Sequence, residues 1–68
     1  MKSVSAGNLR AIGYDDSARV LRIEFAGGMI IDYTGVSADT WRRFSTSGAM
    51  PSFFRDNIEE SYSERRVR

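Results

Sequence analysis

The residues with the widest chemical reach in this chain are its arginines: of ten basic side chains, nine are arginine and only Lys2 is lysine. A guanidinium is a planar, weakly hydrated fork suited to phosphates, carboxylates and ring faces. Arg42 and Arg43, joined by Arg65, Arg66 and Arg68 near the C-terminus, would form a basic site whose grip on phosphates falls steeply with salt. The same five also read as a solvated helix face followed by a tail. A formal net charge of only +1 speaks against a binder driven by bulk electrostatics. The arginine bias itself is what a GC-rich genome produces.

Catalysis finds few tools here. The chain has no histidine and no cysteine, so a thiolate nucleophile, an imidazole base, a disulfide and the usual zinc sets are all excluded. Asp15-Asp16 is the densest acidic pair, and adjacent carboxylates in a turn are ordinarily solvated. Asp56, Glu59, Glu60 and Glu64 offer oxygens to a divalent ion but read better as a solvated surface. Gly27-Gly28 lacks the following helix and lysine that a phosphate-cradling loop needs, so it reads as a hairpin turn. No catalytic, cofactor-binding or metal-binding residue is assigned, and no enzyme activity is expected.

The elements that must position these groups follow from hydropathy. Strands are expected over about Asn8–Tyr14 and Arg19–Phe25, with a third reaching Tyr33, because apolar and polar residues alternate and turn formers interrupt them. Asp15-Asp16-Ser17-Ala18 forms the first turn, its Asp side chain bonding the backbone two residues on. Ala26-Gly27-Gly28 closes the second hairpin as a three-residue loop with glycine in the left-handed region. That register sets Phe25 opposite Met29, Ile23 opposite Ile31 and Leu21 opposite Tyr33. A two-residue loop would turn the strand over and set Ile23 against Asp32. Across the first hairpin, a four-residue loop pairs Ile12 with Leu21 and Tyr14 with Arg19.

After Tyr33 the period changes. Ser37 is placed as the N-cap of a helix, with Asp39 in its first turn and Val36 and Trp41 at staple positions. Gly48 is the expected left-handed terminator. A second helix follows Pro51, whose fixed φ suits a first turn, with Ser52 an equally good cap; it buries Phe54, Ile58 and Tyr62, with Arg55 and Glu59 spaced to pair on its surface. Residues 1–7 are read as a flexible start, with Val4 a possible edge-strand position, and residues 63–68 as a flexible basic tail.

In this order and spacing the chain resembles the KTSC domain family, the small module named after the C-terminus of some lysyl-tRNA synthetases. The resemblance runs from about Ser5 to Tyr62. It rests on Ile12-Gly13-Tyr14-Asp15, on Leu21-Arg22-Ile23-Glu24-Phe25 with Gly28, on Tyr33 and Gly35-Val36, and on Phe53-Phe54 with Ile58 and Tyr62. Three positions depart from the family pattern. A central Tyr-x-Tyr reads Ile31-Asp32-Tyr33, the Asn after the aromatic pair is Arg55, and an Arg after the isoleucine is Glu59. The resemblance implies a free-standing bacterial or phage protein and no established activity. RNA binding is the role suggested by attachment to a tRNA-charging enzyme.

These observations predict one α+β domain over residues 8–62: a three-stranded antiparallel β-meander followed by two short helices packed on one face. The core is expected to hold Ile12, Leu21, Ile23, Phe25, Met29, Ile31, Tyr33, Val36, Trp41, Phe44, Phe54, Ile58 and Tyr62. The outer sheet face is expected to present Arg10, Arg22, Ile30 and Asp32, with Val20 and Glu24 between them. The expected function is a cytoplasmic, non-catalytic adaptor that binds a protein partner, with RNA the alternative, no membrane span, and a monomeric or weakly self-associating state. Candidate contacts are Arg10, Arg22, Ile30, Arg42, Arg43, Phe53, Arg55, Arg65, Arg66 and Arg68. Met50 lies near the link between the helices, and Trp41 and Phe53 serve either the core or an interface.

Overall fold

The computed structural model describes all of residues 1–68. Five strands and two helices follow the order β1 (Lys2–Ala6), β2 (Leu9–Asp15), β3 (Val20–Phe25), β4 (Ile30–Thr34), α1 (Ala38–Ser45), α2 (Met50–Asn57) and β5 (Ser63–Arg66). All neighbours are antiparallel and the sheet order is β1-β2-β3-β4-β5. The α+β class and the pair of helices are as expected; a three-stranded sheet is not. The two segments assigned to flexible ends supply the added strands, one on each edge. Ladder hydrogen bonds carry that pairing, so a strand such as Ser63-Glu64-Arg65-Arg66, exposed at every position, joins without any hydrophobic pattern.

The β3–β4 hairpin has the expected register, with Leu21 opposite Tyr33 and Ile23 opposite Ile31. The Phe25 amide donates to the Met29 carbonyl at 2.8 Å. Gly28 supplies the left-handed backbone of the loop (φ 92°), a conformation costly for any side chain. The β2–β3 hairpin slips by two residues from expectation. Ile12 faces Ile23 and Tyr14 faces Leu21. Asp15 fixes this closure: its Oδ1 accepts from the amides of Ser17 and Ala18 at 3.0 and 3.2 Å, while Arg19 takes a left-handed φ of 56°.

Ser37 caps α1 as expected, accepting from the Thr40 amide at 3.2 Å. The helix ends earlier than expected. Thr46 rather than Gly48 is its C-cap, and its amide and hydroxyl both donate to the Arg42 carbonyl, at 3.2 and 2.7 Å. Helix α2 has Pro51 in its first turn and stops at Asn57. Glu59 therefore lies beyond the helix, and Arg55 pairs with Asp56 at 3.3 Å instead.

The helices cover one sheet face. Phe54 sits edge-on to both Phe25 and Tyr33, with centroids 5.7 and 5.5 Å apart. Tyr14 stacks on Trp41 at 5.5 Å and donates its hydroxyl to the Val36 carbonyl at 2.6 Å, tying the sheet to the start of α1. Leu9 and Met50 join the core beyond the expected set. Met29, Ile31, Trp41 and Tyr62 are half-buried and pack against it rather than within it. Tyr62 follows the end of α2, where its hydroxyl lies 3.4 Å from that of Thr40.

Candidate functional site

The opposite sheet face has no helix over it, and the ladder registers lay a row of side chains across it. Gly13 of β2, Arg22 of β3, Asp32 of β4 and Arg65 of β5 are successive cross-strand partners. Directly opposed residues have their side chains within reach of one another, so three charges of alternating sign form one ladder. Arg22 donates twice to Asp32, Nε to Oδ1 at 2.7 Å and Nη2 to Oδ2 at 3.0 Å. Arg65 adds a third hydrogen bond, Nη2 to Oδ2 at 3.3 Å. The pairing is bidentate on one side and monodentate on the other.

Burial is unevenly shared. The Asp32 side chain is 1% exposed, whereas those of Arg22 and Arg65 are 46% and 72% exposed. The hydrogen bonds from Arg22 hold the Asp32 carboxyl below the usual carboxylate range. Burial pushes the other way, and Arg65 adds to the lowering by hydrogen bond and by charge. Arg22 is raised in turn by its bond to Asp32. A buried carboxylate thus pins two guanidinium groups whose remaining N–H donors meet no other protein acceptor.

Beside the row is an open depression of about 560 Å³, with Asp32 in its floor and Arg22, Arg65, Val20, Ala18 and Met1 on its walls. Gly13 makes the room for one wall: a Cβ there would lie 2.8 Å from the Cγ of Met1. Tyr14 and Asp15 reach the rim. The Tyr14 ring is committed to Trp41 and Val36, and the Asp15 carboxylate to its turn amides. A second, smaller depression of about 450 Å³ lies at the Gly27-Gly28 loop beside Arg66 and Arg68, and Arg68 Nε donates to the Gly28 carbonyl at 3.3 Å.

The other expected contacts scatter. Arg10 is exposed where the β2–β3 register shifts between Leu9 and Ala11. Ile30 is buried rather than displayed, because its backbone pairs with Val67 and Arg68 and brings the C-terminal segment alongside it. Arg42 and Arg43 both turn to Asp39, at 3.0 and 3.1 Å. Phe53 is half-buried with its ring 5.9 Å from that of Phe44. Four of the five arginines expected to act together are therefore tied to different places, Arg42 and Arg43 to Asp39, Arg65 to Asp32 and Arg68 to the Gly28 loop, with Arg66 beside that loop.

Asp32 is the residue that sequence reasoning left out of the contact set. A signal for it existed, since the Ile23–Ile31 register puts Arg22 directly opposite Asp32. No comparable signal marks Arg65, which arrives on a strand without periodicity.

The Tyr33 phenol lies on the covered face and is raised above its ordinary range by burial and by the carboxylates of Glu64 and Glu59. It is not part of the depression. No helix of the protein is long and apolar enough to cross a membrane.

Comparison with known proteins supports the resemblance noted from the residues. The KTSC domain model matches residues 5–62, ending ahead of Arg65. The crystal structure of a KTSC domain protein from Yersinia pestis is similar over 98% of this chain and 94% of that one, with a TM-score of 0.92 and 28% sequence identity. No curated protein matches the chain by sequence.

Proposed function

The chain belongs to the KTSC domain family, and we propose that it is a non-catalytic binding module that docks a protein partner on its uncovered sheet face. One observation carries the reading. That face holds an open depression in which a buried carboxylate orients two exposed arginine forks beside the apolar walls of Met1 and Val20. Pre-oriented donors next to modest apolar area are what a peptide segment needs, since little side-chain entropy remains to be lost on binding.

RNA binding is the competing role. Readers of single strands stack bases on exposed aromatic rings and follow the backbone with a run of positive charge. The ring nearest the depression, Tyr14, points to the covered face and is already stacked on Trp41, and Glu24 and Asp15 lie near the arginines of the uncovered face. The protein reading is favoured on that ground.

Peptides selected from a displayed random library against the intact protein provide the test. Their binding sites are mapped by NMR and compared with retention of the protein on single-stranded RNA at low and moderate salt. Selected peptides should perturb the amides of Gly13, Val20 and Arg22. Sites confined to the helices, or tight RNA retention with a steep salt slope that is lost with Arg65, Arg66 and Arg68, would overturn the reading.

A further inference from the structure

Two guanidinium groups converge on Asp32, and one carboxylate neutralises only one of them. The row therefore carries one uncompensated positive charge at the edge of a depression large enough for a side chain. The carboxylate lies in the floor, 1% exposed, and all three of its hydrogen bonds come from the arginines above it. The unused donors of Arg22 and Arg65 belong to the exposed parts of the forks and border the same space.

We propose that this depression takes a single carboxylate, the side chain of an Asp or Glu in a peptide segment of a partner protein, bridged between the free donors of Arg22 and Arg65. This rests on the docking surface proposed above and names what it recognises. Arginine forks match a planar two-oxygen acceptor, and a second carboxylate completes an alternating row of charge. The apolar neighbour of that acidic residue rests against Met1 and Val20.

The surroundings argue for one charge rather than several. Asp15 sits at the rim, and Glu24 occupies the next position along the same face of β3, opposite Ile30. A phosphate dianion or a nucleic-acid backbone would bring its further charges up to these carboxylates. A lone carboxylate flanked by apolar residues does not.

The experiment titrates the intact protein, with its arginine side chains observed by NMR through their Nε–H groups. One probe is the blocked tripeptide acetyl-Leu-Glu-Leu-amide, and its control has Gln in place of Glu. Inorganic phosphate and an oligouridylate form the remaining arms. The Glu peptide should shift Arg22 and Arg65 Nε–H and the Gly13 amide, and bind roughly tenfold more tightly than the Gln control, the factor expected of a charge-assisted contact. Arg65→Gln should weaken it by about fivefold while the remaining spectrum keeps its folded dispersion, because Asp32 retains both bonds from Arg22. Arg65→Lys, which keeps the charge but loses the fork, should recover only part of that loss.

Equal binding of the Glu and Gln peptides at the uncovered face would overturn the carboxylate proposal and leave the docking surface standing. Peptide-induced shifts confined to the helices would overturn both. Saturation of the same Nε–H groups by phosphate or oligouridylate at lower concentration than the peptide would replace the carboxylate with a phosphate ligand.

Discussion

The two faces of the sheet obey different rules. The covered face is held by shape: Phe54 fits between Phe25 and Tyr33, and Tyr14 is fixed by Trp41 on its ring and Val36 on its hydroxyl. The uncovered face is held by charge, and its most buried side chain is a carboxylate. Truncating a ring leaves a cavity, whereas altering a charge leaves a partner without its counter-ion. The difference shows that packing is concentrated on the covered face, while the uncovered face keeps guanidinium groups exposed above a buried carboxylate.

The sharpest way to break that division is on the covered face. Phe54→Ala should cost about 3–5 kcal/mol, the usual range for a buried ring, measured by denaturant unfolding. For a domain of this size that approaches the whole stability, so the variant should be largely unfolded. Retention of wild-type stability would mean that the helices contribute little to holding the sheet.

Asp32→Asn comes next. It keeps the shape but removes the charge that accepts three hydrogen bonds, and should cost about 2 kcal/mol at neutral pH. The pH dependence sharpens the assignment. A carboxyl held low in the folded state stabilises fully above its unfolded value of about 3.9, and that contribution is lost as pH falls through the folded value. The stability gap between wild type and Asp32→Asn should therefore close below about pH 4. A gap that persists into stronger acid would show that packing, not charge, is what the substitution removed.

Smaller effects are expected at the turn and at the rim. Gly28→Ala should cost about 1 kcal/mol or slightly more, because alanine must adopt a φ of 92° although its Cβ meets no neighbour. Arg65→Gln should leave the unfolding midpoint almost unchanged, since its side chain is 72% exposed, while weakening the acidic peptide. A large stability loss there would erase the distinction between the two faces.

What could be read from the residues divides along the same line. The β3–β4 register was legible because alternation and a glycine loop agree on it, and that register implied the Arg22–Asp32 pair. The β2–β3 register was not, because a slip of two residues keeps every side chain on its own face and alternation cannot detect it. Leu9 and Met50 escaped the expected core because each stands at the start of its element, where periodicity has only begun. β1 and β5 are polar strands joined through backbone bonds. With β5 went any sign that Arg65 completes the row on Asp32.

The placement of β5 also bears on how the protein behaves in a crowded solution. Without it, β4 would be the last strand, offering unpaired backbone beside Ile30, Ile31 and Tyr33 to any passing extended chain. The four residues that cover it are charged or hydroxylated at every position and exposed throughout. The same strand that completes the arginine row is thus a barrier to edge-to-edge aggregation, and a chain shortened to Tyr62 should scatter more light as its concentration rises, while keeping the Arg22–Asp32 pair.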